Sequence, residues 1–262
     1  SAAARRVRQR RTAVEPLELL LEDDHLMVVN KHAGLLSQAS RKGEDSLCAR
    51  ARAYLGGRGP RREGRDVFVG LAHRLDRDVS GACALAKTPE AARWLAGQFA
   101  GRDVRKEYIA VVRRWQPGGA QTLRHTMRVD DSGMAHEVAP GSEGSRDAAL
   151  ECRQLLAGPS GVAAVLVRLL TGRRHQIRFQ LSEVKSPLLG DRRYGGGTRD
   201  GSRRWIQRPA LHAWRLRFAH PSEPHPAVEV VAPLPQDVCA LLAAVRIRPQ
   251  AVVEKAMEIS GA

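Results

Sequence analysis

Aromatic residues make up only 4% of this 262-residue chain, which argues against a module that binds single strands by stacking bases on rows of rings. Cysteine is equally scarce. Cys48, Cys83, Cys152 and Cys239 lie far apart, with no CxxC pair and no Cys/His cluster. That spacing argues against a zinc site and against a disulfide framework, and leaves reduced, buried thiols as the expectation. No apolar run reaches the roughly 18 residues that a membrane span needs, so no membrane partner is expected. No G-x-G-x-x-G, Walker A, H-E-x-x-H or G-x-S-x-G pattern occurs, which removes dinucleotide, nucleoside-triphosphate, zincin and hydrolase readings. Neither a cofactor nor a metal is expected. Acid is also in short supply, with 28 Asp and Glu against 43 Lys and Arg, only six of the latter being Lys.

What is present is therefore a positive field: +15 on a chain that is 43% hydrophobic. A globular protein so charged favours a polyanionic partner, and arginine suits bidentate phosphate contacts, although a GC-rich genome produces the same bias. The opening SAAARRVRQRRTAV is rich in Arg, Ala and Ser and has no acid. Residues 1–16 read as a basic flexible arm that tracks phosphates or as the remnant of an organellar transit segment. The expected location is accordingly a mitochondrial or other organelle matrix, or else the cytoplasm. If the arm binds phosphates, deleting residues 1–11 should weaken binding about equally for target and non-target nucleic acids. The log–log salt slope would fall by up to about 3.5 if all five arginines of the arm contact single strands. An unchanged slope would leave targeting or attachment as its use.

From Leu17 the texture changes to short apolar runs between polar turns. Strands are expected in LELLLEDDHLMVVNK on either side of Glu22–Asp24, in VFVGLA (67–72), GACALAK (81–87), EYIAVVRRW (107–115), VAAVLVRLL (162–170), 210–218 and 226–232. Thr88 as N-cap, Pro89 at the first helical position and Ala91, Leu95 and Phe99 at four-residue spacing predict a helix that Gly101 can end. A second helix carries Ile177, Leu181 and Val184 on its apolar stripe, and a last one runs over Asp237–Val245. Residues 116–147 show no period. The fold class is α+β, a mixed and mainly antiparallel sheet with flanking helices. The division expected is arm 1–16, one domain 17–248 and a C-terminal tail 249–262.

Two clusters could carry chemistry. The loop His73-Arg74-Leu75-Asp76-Arg77-Asp78 sits between two apolar strands. A carboxylate between guanidinium groups should stay ionised, fit for a nucleophile or electrostatic stabiliser; a solvated turn with internal ion pairs is the alternative. In Thr171-Gly172-Arg173-Arg174-His175-Gln176-Ile177-Arg178, three arginines and a histidine stand at a helix start, four-residue spacing putting Arg174 and Arg178 on one face. They could hold a phosphate or a carboxylate from another loop, or point at water at a cost to the helix dipole. Tyr108 on its aliphatic strand is either a core tyrosine or a ring that stacks on a base. His212 reads as a satisfied histidine.

These residues fall into longer blocks. EDDHLMVVNKHAGL (22–35), HRLDRDVSGACALAKT (73–88), KEYIAV (106–111), LLTGRRHQIRFQLSEVKSPLLGDRRYG (169–195) and LHAWRLRFAHP (211–221) resemble, in order, the signature segments of the RluA family of pseudouridine synthases. His32 in place of the usual proline, Val79 in place of Thr and Lys185-Ser186 in place of Gly-His are the departures, and none touches the charged positions. The resemblance implies the pseudouridine synthase fold with a central basic cleft, and a catalytic domain standing without the small N-terminal S4 domain of many relatives. It implies isomerisation of uridine in structured RNA, rRNA first and tRNA second, without a cofactor. By the same resemblance Asp76 is the obligatory aspartate, Arg178 its ion-pair partner and Tyr108 the residue on the target base. Arg74 matches the side chain that fills the gap left by the flipped nucleotide, and His73, Lys106, Arg173, Arg174 and His175 are expected to contact RNA. A monomer acting on a preribosomal particle is the expected setting. The competing expectation is an idle synthase-fold RNA-binding factor in ribosome or ribonucleoprotein assembly.

Overall fold

Strands that are apolar at consecutive positions need cover on both faces, and that requirement organises this molecule. The computed structural model describes residues 16–41, 43–57, 67–116, 119–195 and 206–261; of the expected arm only Pro16 is among them. The elements are β1 (Leu19–Glu22), β2 (Leu26–Lys31), α1 (Leu47–Gly56), β3 (Gly70–Leu71), β4 (Ser80–Ala86), α2 (Pro89–Gly101) and β5 (Arg105–Val112). Then follow β6 (Gln121–Val129), β7 (Ala135–Glu137), β8 (Arg146–Ala157), β9 (Ala163–Leu169), α3 (Gln176–Glu183), β10 (Leu211–Ala219), β11 (Ala227–Val231), α4 (Gln236–Ala244) and α5 (Pro249–Gly261). All the described strands join one sheet in the order β1-β2-β4-β10-β5-β9-β8-β6-β7, with β3 beside β4 and β11 beside β10. Every pairing is antiparallel except β4 with β10.

Alternation along the central strands sends side chains to two cores. Met27, Val29, Cys83, Leu85, Ala110, Val112, Val165 and Val167 face α1 and α3, whose Leu47, Ala51, Ile177 and Leu181 close that side. On the other face Leu26, Val28 and Ala84 pack with Ala91 and Leu95 of α2, while Ile109, Val111 and Trp214 pack with Leu241 and Leu242 of α4 and Val252 and Ala256 of α5. The residues read as a C-terminal tail therefore belong to the core as far as α5 extends. Their buried positions Val252, Ala256 and Ser260 recur at four-residue, helical spacing. The unplaced stretch 116–147 holds β6 and β7, and the strand expected over 67–72 pairs only at Gly70–Leu71. Helix α2 starts as expected, with Thr88 Oγ1 accepting the Ala91 N–H at 3.1 Å, but Arg102 rather than Gly101 takes the left-handed cap at φ 67°.

Strands β4 and β10 approach unusually closely where they run parallel, at Ser80↔His212 and Gly81↔Ala213. Gly81 has φ +121°, and a Cβ there would fall on the Ala213 carbonyl and within 2.6 Å of its amide nitrogen. Gly81→Ala should therefore lose about 2–6 kcal/mol, combining backbone strain with overpacking. The denaturant midpoint measures this, and a change under about 1 kcal/mol would contradict the close approach.

Candidate active site

The loop between β3 and β4 carries Asp76, and its two neighbours are pinned from below. Ser37 Oγ accepts the Leu75 N–H at 3.1 Å and donates to the Leu75 carbonyl at 2.8 Å. Lys31, only 1% exposed, donates from Nζ to the carbonyls of His32, Leu35 and Arg77 at 2.9, 2.7 and 3.0 Å. Burial pulls the pKa of this lysine down to about 8, against the pull of nearby acidic groups that include Asp76 and Asp78. Leu75 and Val79 insert into the core on either side. The carboxylate is thus held up from a rigid base, in a partly exposed position.

Above it stands Arg178, from the first turns of α3. Its Nη1 lies 3.5 Å from Asp76 Oδ2, so the expected pair is present. Its stronger partner is Asp191, which receives Nε at 2.6 Å and Nη2 at 2.9 Å and is itself fully buried. Asp191 also accepts the N–H groups of Arg193 and Tyr194 at 3.0 and 3.3 Å. Burial opposes the charge of Arg178, and the Asp191 carboxylate, with smaller contributions from Asp76 and Tyr194, more than offsets it, holding its pKa above the usual arginine value. The guanidinium also lies 5.1 Å from the centre of the Tyr194 ring. The sequence reading missed Lys31, Ser37, Asp191 and Tyr194. Three of them lay inside the quoted blocks, Lys31 in VVNK and Asp191 and Tyr194 in GDRRYG, but only contact distance shows their use.

Asp76 opens on a cleft of about 1100 Å³. Tyr108, from β5, is 7% exposed and lines this cleft; burial, and then the Asp76 charge, raise its pKa and keep the phenol protonated. Arg74 is exposed on the rim and hydrogen-bonds none of the described residues. Lys106 reaches the cleft beside Gly172, with Nζ 5.7 Å from the centre of the Phe99 ring. Arg173 spends Nε on the Asp147 carbonyl at 3.0 Å, and Arg174 is exposed with its guanidinium against Gly133.

Three expectations change here. Helix α3 begins at Gln176, so Arg173 and Arg174 belong to the turn before it, and Arg174 shares no helical face with Arg178. Gln176 Oε1 instead ties that turn together, accepting from Thr171 Oγ1 at 2.8 Å and the Arg173 N–H at 2.9 Å. His73, expected on RNA, faces inward chemically: its Nε2 accepts the Ala84 N–H at 2.9 Å and its ring stacks on Phe99 at 4.5 Å. Burial, with Lys106 nearby, lowers its pKa to about 3, so it stays neutral; with Nε2 accepting from Ala84 the ring hydrogen is on Nδ1, and the residue also lines the cleft. His175, also expected on RNA, is 8% exposed, with Nε2 3.8 Å from Asp76 Oδ2. His212 is the satisfied core histidine expected, bonded to Ser80 Oγ at 2.9 Å.

Arg178, itself buried, thus addresses a carboxylate in a cleft lined by more Arg and Lys than Asp side chains. The family model described as RNA pseudouridylate synthase matches residues 25–183. The chain belongs to this family. It is an RluA-family RNA pseudouridine synthase, an isomerase acting on RNA. It is 35% identical over 246 residues to the ribosomal large subunit pseudouridine synthase D of Xylella fastidiosa, covering 88% of this chain and 70% of the relative. To the tRNA pseudouridine synthase C of Salmonella typhimurium it is 31% identical over 225 residues, covering 81% and 84%. Among solved structures, human RNA Pseudouridylate Synthase Domain Containing 4 matches with a TM-score of 0.68 and 25% identity over 87% of this chain and 93% of the other. The α+β sheet with its flanking helices is that of the pseudouridine synthase fold.

Proposed function

We propose that this synthase acts on structured large-subunit rRNA, as a monomer engaging a preribosomal particle, with Asp76 as the reacting carboxylate. The observation that carries the reading is the arrangement at Asp76: an acid braced by Ser37 and Lys31 on its neighbours, addressed by Arg178, and open to a basic cleft. A uridine stacked in a helix cannot present its glycosidic bond to this floor, so the target nucleotide must flip into the cleft. Arg74, which lines the cleft and hydrogen-bonds none of the described residues, is the side chain we assign to the gap that flipping leaves. Within the cleft the N1–C1′ bond breaks, the base turns, C5 joins C1′, and the proton lost from C5 is balanced by one gained at N1. Arg178 holds Asp76 through this exchange, and the Tyr108 ring lies under the base. The identity of the RNA rests on the names of the relatives, which include both rRNA and tRNA enzymes.

Incubating the purified chain with large-subunit rRNA and tRNA transcripts, followed by base-resolution mapping of pseudouridine, tests the reading. New pseudouridine in the rRNA alone supports it. Modification of tRNA alone moves the substrate, and binding without any modification favours an assembly factor. Tyr108→Phe keeps the ring and loses the hydroxyl, so RNA affinity should survive nearly unchanged while the rate falls about 10²–10⁴-fold, the range for a positioned proton-transfer group. Equal losses of both would make Tyr108 merely structural.

A further inference from the structure

The β6–β7 hairpin reaches the catalytic carboxylate through two side chains. Its turn is closed on Asp130, which accepts the Met134 N–H at 2.8 Å, and Arg193 Nη2 ties it to the Asp191 loop through the Ser132 carbonyl at 2.8 Å. The next residue, Ala135, donates its N–H to Tyr194 Oη at 2.8 Å. The Tyr194 ring is buried with Met127, Ala148 and Phe179, and its hydroxyl stands 3.0 Å from His175 Nδ1. His175 occupies the N-cap of α3 in a left-handed conformation, φ 57° and ψ 16°, which turns its other ring nitrogen, Nε2, to within 3.8 Å of Asp76 Oδ2.

Counting hydrogens along this chain fixes the ring. Tyr194 Oη already accepts from Ala135, and among the described residues its own hydrogen has one acceptor in reach, His175 Nδ1. Nδ1 is then unprotonated and the ring hydrogen is on Nε2, facing the carboxylate. The other tautomer would strand a buried O–H and set the Nε2 lone pair against Asp76, so both ends of the chain favour the same form. His175 is kept neutral chiefly by burial, helped by Arg178, Arg174 and Arg193 and opposed by Asp76. Arg178 and His175 address the same oxygen, Oδ2, and Oδ1 has no hydrogen-bond partner among the described residues.

We propose that His175 is a positioning residue for Asp76: Tyr194 holds it as the Nε2–H tautomer, and its N–H, together with Arg178, fixes Oδ2 so that Oδ1 is left for the substrate. This rests on the role given to Asp76 above. The tautomer is measured without any substrate, from long-range ¹H–¹⁵N correlations of His175 in the free protein at neutral pH. A neutral Nε2–H ring in the wild type, giving way to a mixture in Tyr194→Phe, is expected; an Nδ1–H ring in the wild type overturns the proposal. The functional arm uses single-turnover pseudouridine formation on the large-subunit rRNA transcript. His175→Leu and Tyr194→Phe should each slow it about 10–100-fold, the scale of a misplaced reacting group, with RNA affinity unchanged. His175→Gln, which keeps an N–H donor near the position of Nε2, should recover most of the rate. Equal rates for Gln and Leu overturn the proposal. Should the Leu variant not fold, a wild-type rate for Tyr194→Phe overturns it. Lack of turnover by the wild type counts against the proposed substrate instead, and the tautomer then decides alone.

Discussion

Replacing Asp76 with asparagine is expected to stop pseudouridine formation, by about 10⁴-fold or more, the scale seen when a reacting group is removed. RNA affinity should change little. The substitution is isosteric, but an amide carries no charge and is not a competent nucleophile. The structure explains why the fold should tolerate it. Arg178 does not depend on Asp76 for its counter-charge, because Asp191 binds it through two nitrogens at 2.6 and 2.9 Å whereas Asp76 stands 3.5 Å away. The loop itself is held through Leu75 and Arg77, by Ser37 and Lys31, and not through the side chain that is changed. A denaturant midpoint close to wild type, an RNA dissociation constant close to wild type and no product together make the result decisive. Appreciable turnover by this variant would remove Asp76 from the reaction.

Replacing Arg178 with methionine should do the opposite and strike stability and activity together. The carboxylate left behind is Asp191, wholly buried, and not chiefly the partly exposed Asp76. An uncompensated buried charge costs about 3–5 kcal/mol, read as a drop in the denaturant midpoint. Arg178→Lys should fall between, since an ammonium cannot reproduce two parallel hydrogen bonds. Adding Asp191→Asn to Arg178→Met removes the stranded charge and should restore part of the stability without restoring turnover, because Asp76 would still lack its cation. Loss of less than about 1 kcal/mol in the single variant would show that the pair is not buried in solution.

Much of this was legible in the chain itself. Runs such as LMVVN and EYIAVV announce strands covered on both faces, and Thr88-Pro89-Glu90 announces a helix start, because backbone geometry and capping act within a few residues. The charged loop at Asp76 and the turn before Arg178 stand out for a related reason: polar side chains between apolar strands need a use. Residues 249–261 and 121–137 were not legible in the same way. Helix α5 earns its place only by the core it covers, and β6 and β7 are short or half-exposed strands whose polar faces erase the period.

Sequence by itself determined the family, the α+β class and the identity of Asp76, Tyr108 and Arg178 as the residues to watch, since local pattern and the ordered blocks contain that much. Tertiary structure alone decided the partners. Asp191 rather than Asp76 is the closer anion to Arg178, His73 turns its nitrogen to a backbone amide, and His175 sits against the carboxylate instead of the solvent. Spacing along a chain says which side chains share an element. Ion pairs and hydrogen bonds fall off over a few ångströms, so the groups that tune one another at this site, 102 residues apart for Arg178 and Asp76, are chosen only when the sheet brings their loops together.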